Sequence, residues 1–217
     1  MKSRKIMIMN IASTLLIIAF SLLIVLVKTA DVAAIGPEGT TIGLSALNGA
    51  VHNAIGYNAI WYKISEIAGA LAFPVIAVFA FYGLYQLIKG KGFKAVDKDL
   101  YLLAILYISV IAIYIFFELV VINYRPVLED GNLAASFPSS HTLLAITVYG
   151  SAIIVIKDIV MKREIKAAVI AVLSILMVLT VCARMLSGVH WATDIIGSIL
   201  LSASLLLLFK SIREQIR

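Results

Sequence analysis

The chain has 217 residues, 62% of them hydrophobic and only 14% charged. Soluble domains use roughly 45–50% apolar residues, so a water-soluble globule fits poorly and a single integral-membrane domain over residues 1–217 is the expectation. The formal net charge of +6 is unevenly placed; it bears on topology and gives no reason to expect nucleic acid as a partner.

Six segments are long and apolar enough to span a bilayer, at residues 6–27, 67–88, 100–122, 141–156, 167–183 and 194–209. The first follows a basic start, "MKSRK", and runs for 22 residues. A secretory h-region has about 7–15, so this run reads as a retained first helix. The connection at 28–66 is the longest. It carries the turn-rich stretch "GPEGTTIG" and then Leu44, Leu47, Val51 and Ile55 at helical spacing, followed by Tyr57, Trp61 and Tyr62. That pattern predicts an amphipathic helix at the membrane interface. His52 within it reads as a surface histidine. Pro74 predicts a kink in the second span. The single cysteine, Cys182, excludes an intramolecular disulfide.

Lysines and arginines sort by side. Fourteen fall at the termini or in the second and fourth connections, and only Lys28, Lys63, Arg125 and Arg184 fall on the opposite side. The positive-inside rule then gives an all-α polytopic protein with six transmembrane helices and both termini cytoplasmic.

Two outer connections are unusually polar, "NYRPVLEDGNLAASFPSSH" at 123–141 and "ARMLSGVHWATD" at 183–194. His190 and Asp194 are four apart, which on a helix puts them on one face. An aspartate on one imidazole nitrogen leaves the other free to attack. Arg125 and Arg184 supply planar forks for phosphate oxygens. Pro138 with Ser139 and Ser140 is a helix-start signal, and a helix N-terminus suits an anion. His141 beside that anion is able to protonate a leaving oxygen. Two arginines, two histidines and an aspartate at one face of so apolar a chain are costly to retain without a use.

The motifs "RP" at 125–126, "PSSH" at 138–141 and Arg184, His190 and Asp194 in "R-x5-H-x3-D" resemble the three-part signature of the type 2 phosphatidic acid phosphatase (PAP2) superfamily. With the position before "RP", the motifs span 118–194. The resemblance implies that His190 attacks phosphorus to form a phosphohistidine, oriented by Asp194, and that His141 protonates the leaving lipid oxygen. Arg125, Arg184, Ser139 and the backbone N–H of Ser140 would bind the phosphoryl group. No cofactor is implied, and no Cys, His or carboxylate cluster has metal-ligand spacing. The chain departs from the family pattern at Ser140 (usually glycine), Ala183 (usually serine) and Glu118 (usually lysine). Glu118 and Arg125, two turns apart if the helix continues, would share a face.

The implied function is a membrane-embedded phosphatase acting on a lipid phosphate or pyrophosphate, with undecaprenyl pyrophosphate the sharpest choice. Its partners would be that lipid substrate and the surrounding membrane lipids. The site would face the extracytoplasmic side of a bacterial or archaeal plasma membrane. The alternatives are a lipid phosphotransferase using the same site and a catalytically impaired lipid-binding protein of the same fold.

Overall fold

The computed structural model describes residues 2–217. It consists of eight α-helices: α1 (Lys2–Thr29), α2 (Ser45–Ile55), α3 (Ala59–Ala70), α4 (Ala72–Lys89), α5 (Lys98–Leu119), α6 (Ser140–Ile156), α7 (Arg163–Leu186) and α8 (Ala192–Ile216). Among the described residues β-pairing is confined to isolated bridges.

Helix α2 is the amphipathic element expected in the first connection. Leu47 lies on its exposed side, and Asn48 is fully buried, donating from Nδ2 to the Gly43 carbonyl and accepting at Oδ1 from the Thr193 amide. Helix α3 corrects the expected loop boundary. Asn58 caps it, its Oδ1 accepting from the amides of Ile60 and Trp61, so residues 59–66 are helical and not loop. Together α3 and α4 make an apolar run of 31 residues, Ala59–Lys89. Pro74 sits in the first turn of α4 and has no N–H to give the Ala70 carbonyl. The kink accordingly appears as the break between the two helices at Leu71.

Five helical runs have the length and hydropathy to cross a membrane: α1, α3–α4, α5, α7 and α8. Helix α6 is apolar but has only 17 residues. It lies at the centre, burying Leu143, Ala145, Val148, Tyr149, Ala152 and Val155 against α3, α4, α5, α7 and α8. A helix enclosed on all sides is apolar all round, which explains its lack of an amphipathic face.

Lipid tails are as apolar as leucine, so small and polar side chains hold membrane helices together. Between α1 and α8, Ser13 Oγ donates to the Ser204 carbonyl and Ser204 Oγ donates to the Ser13 carbonyl at 3.1 and 2.9 Å. The two chain ends meet at one end of the bundle, where Lys5 Nζ pairs with Glu214 at 2.7 Å. There Arg213 grips Asp99 through Nε and Nη2 at 2.8 and 2.7 Å and reaches Asp158 through Nη1 at 2.7 Å. This tie joins the start of α5, the α6–α7 connection and the end of α8. The polar residues singled out from the sequence lie at the opposite end.

Candidate active site

Helix α5 ends at Leu119, three residues short of the expected 122. Glu118 and Arg125 therefore do not share a helical face, because the chain between them is irregular. The stretch that follows folds back on itself. Tyr124 bridges Ala135 and Glu129 bridges Asn132, around a turn with positive φ at both Asp130 (50°) and Gly131 (78°). A non-β-branched residue followed by glycine is what such a turn requires. The fold-back puts Arg125 beside Ala135, whose carbonyl accepts from Arg125 Nε at 3.3 Å. Phe137 anchors the returning strand, its ring stacked on Phe20 and edge-on to Phe117.

Asp194 is fully buried and accepts three hydrogen bonds. Asn123 Nδ2 donates to Oδ1 at 3.0 Å, while the Trp191 amide, at 2.9 Å, and the Ser136 hydroxyl donate to Oδ2. His190 lies outside the helix, two residues before α8 begins, so its contact with Asp194 is made across the helix start and not along one face as the spacing suggested. Nδ1 of His190 is 3.4 Å from Asp194 Oδ2 and 3.1 Å from Ser136 Oγ. A hydroxyl has one proton. Ser136 gives it to Asp194, so its lone pair receives the His190 Nδ1–H, which leaves Nε2 unprotonated. Burial, reinforced by Arg184 and Arg125, holds the His190 pKa well below the ordinary histidine value. Neutral at physiological pH, with its free lone pair on Nε2, this imidazole has the form a nucleophile needs.

His190, Arg125, Ser140, Ser136 and Glu118 line one narrow cavity. Glu118, at the end of α5, is exposed at its rim. The Arg125 guanidinium is held by Glu129 at 2.9 Å. Ser139 is placed differently: it is fully buried, and its Oγ donates to Thr142 Oγ1 at 3.1 Å. His141 and Arg184 meet at a residue that the sequence reading left in a loop. Glu66, on α3, accepts from Arg184 Nη1 at 2.6 Å and lies 3.2 Å from His141 Nε2. Asn123, Ser136 and Glu66 were not singled out beforehand. The signal for Glu66 is a lone carboxylate on an apolar helix, visible only once residues 59–66 are known to be helical.

Buried side-chain atoms without a hydrogen-bond partner are few among the described residues. They include His190 Nε2, His141 Nδ1 and Arg184 Nε. Buried polar atoms are normally satisfied, and three orphaned nitrogens on residues of one constellation mark the place of a polar ligand.

A family model described as the PAP2 superfamily matches residues 120–217. The match takes in Arg125, the segment 138–141 and the residues Arg184, His190 and Asp194. Among solved structures, this chain is similar to "the first transmembrane PAP2 type phosphatidylglycerolphosphate phosphatase from Bacillus subtilis", with 20% identity and a TM-score of 0.68 over 94% of this chain and 97% of that one. At that identity the likeness speaks for the fold alone, an all-helical one with several apolar helices. No curated protein matches the chain at significant similarity.

Proposed function

We propose that this PAP2 chain is a lipid phosphate or pyrophosphate phosphatase working through a phosphohistidine on His190. The observation that carries the reading is the wiring of His190. Nδ1–H is held by Ser136 and Asp194, and Nε2 is buried and unpaired.

In the first half-reaction Nε2 forms a bond to phosphorus while the bond from phosphorus to the leaving oxygen breaks, and His141 gives that oxygen a proton. In the second, water attacks phosphorus and gives its proton to His141, and the N–P electron pair returns to His190. Arg125, Arg184 and the backbone N–H of Ser140 neutralise charge on the phosphoryl oxygens. Ser139 contributes through its position at the start of α6. The distribution of lysines and arginines supports six spans with cytoplasmic termini and an outward-facing site. An apolar groove lined by Gly69, Phe73, Val110, Ile111 and Leu144 ends at Glu66 and His141, a route by which a lipid tail reaches the site sideways.

Undecaprenyl pyrophosphate is the favoured substrate, since recycling that carrier needs an outward-facing site. Phosphatidic acid and phosphatidylglycerolphosphate fit the same chemistry and belong in the test. Purified protein is expected to release phosphate from at least one lipid in such a panel, and His190→Ala to abolish release. Release from no lipid overturns the phosphatase reading, and undiminished release by His190→Ala overturns the nucleophile. Phosphate recovered in an acceptor lipid, with little freed, marks the phosphotransferase.

A further inference from the structure

The proposed mechanism gives Asp194 a defined task on His190 but leaves the second histidine without an orienting partner. The structure supplies one. The Glu66 carboxylate is set by a clamp on α3 that involves both neighbouring helices. Ser65, one residue before it, is fully buried, accepts from Arg184 Nη1 at 3.1 Å and donates to the Tyr62 carbonyl at 2.7 Å. Two residues after it, the Ala68 carbonyl accepts from the buried Tyr149 hydroxyl of α6 at 2.6 Å. At Gly69 a Cβ would come within 2.7 Å of His141 Cδ2, so the absent side chain is what lets α3 lie against the imidazole. Residues 65–69 thus fix Glu66 against His141 from both sides along the helix.

Glu66 Oε1 faces His141 Nε2 at 3.2 Å, and His141 Nδ1 is buried without a partner. The pattern repeats that of His190, with the nitrogens exchanged. In each ring one nitrogen faces an acceptor group and the other is unpaired.

We propose that Glu66 is a positioning residue for His141: it accepts the Nε2 proton and so makes Nδ1 the nitrogen that exchanges a proton with the leaving oxygen and then with water. The proposal rests on the phosphatase reading above. During the first half-reaction the proton on Nδ1 passes to the oxygen leaving phosphorus, and the neutral ring keeps its other proton on Nε2 against Glu66. During the second, Nδ1 takes the proton of the attacking water. A carboxylate on the far nitrogen stabilises the charged ring before the first transfer and after the second.

A different role would have Glu66 merely occupying Arg184 until phosphate displaces it. The two roles separate by leaving group. An alkyl alkoxide needs its proton in the transition state, whereas a nitrophenolate leaves without one. Glu66→Gln is therefore assayed on a short-chain phosphatidic acid and on p-nitrophenyl phosphate. The expected result is a fall in kcat of roughly 100-fold on the lipid and of no more than about threefold on the aryl ester. Glu66→Asp, which keeps the charge, is expected to recover much of the lipid activity. Equal losses on both substrates overturn the proposal, as does a lower KM with undiminished kcat on both, which identifies a competitor for Arg184. Wild-type protein inactive on both substrates and on the lipid panel overturns the phosphatase reading itself. Wild-type activity with a uniform effect of the substitution overturns the Glu66 role alone.

Discussion

At the scale of residues, the site is a set of carboxylates matched to nitrogen groups. Asp194 serves His190 through Ser136, Glu66 faces His141 and Arg184, and Glu129 holds Arg125. Glu118 is the one carboxylate on the cavity wall that stands where the family pattern has lysine. Replacing an anion by a cation there changes the local charge by two units, in surroundings that screen less than water does. Glu118→Lys is expected to lower KM for a lipid phosphate by about tenfold, equivalent to about 1.4 kcal/mol. Steady-state kinetics on the purified variant checks this, and unchanged kinetics would place the side chain out of reach of the phosphoryl group. The motifs named all the nitrogen groups from sequence. They did not name Ser136, Asn123 or Glu66, because these act through contacts between segments 54 to 118 positions apart.

At the scale of elements, four helix termini at the outer end bring the candidate site residues. The end of α5 carries Glu118, the start of α6 carries Ser140 and His141, the last turn of α7 carries Arg184, and the first turn of α8 carries Asp194. The registry of these ends depends on packing elsewhere in the bundle. At the far end Arg213 is buried between Asp99 and Asp158. Removing one partner of a buried ion pair strands the other. Arg213→Ala is expected to destabilise the folded protein by about 3 kcal/mol, the low end of the usual range because Arg217 also reaches Asp99 at 2.7 Å. Thermal unfolding in detergent measures it, and adding Asp99→Asn should recover part of the loss. Most apolar runs were legible as helices from hydropathy. The α3–α4 pair was half missed, because Tyr62, Lys63, Ser65 and Glu66 dilute its first turns with polar groups, of which the fold fully buries only Ser65.

At the scale of the whole molecule, the buried histidine links the site to stability. The folded protein keeps His190 neutral to well below the usual pKa of 6.5. As pH falls through that value the unfolded chain takes up a proton that the folded chain refuses, so the contribution of His190 to stability declines with falling pH below about 6.5. The melting temperature is expected to drop between pH 7.5 and 5.5, and His190→Gln to reduce that drop. Composition, hydropathy and the charge count by themselves determined that this is a helical membrane protein, and the spacing of three motifs picked out the arginines, histidines and aspartate that form the candidate site. Those are local properties, readable from a few residues at a time. Which nitrogen of each histidine is free, how α6 comes to be enclosed, and that Glu66 joins the site were decided only by the tertiary structure. Hydrogen-bond partners are chosen by proximity in space, and the clamp of α3 on α6 and α7 brings residues into contact that no sequence spacing relates.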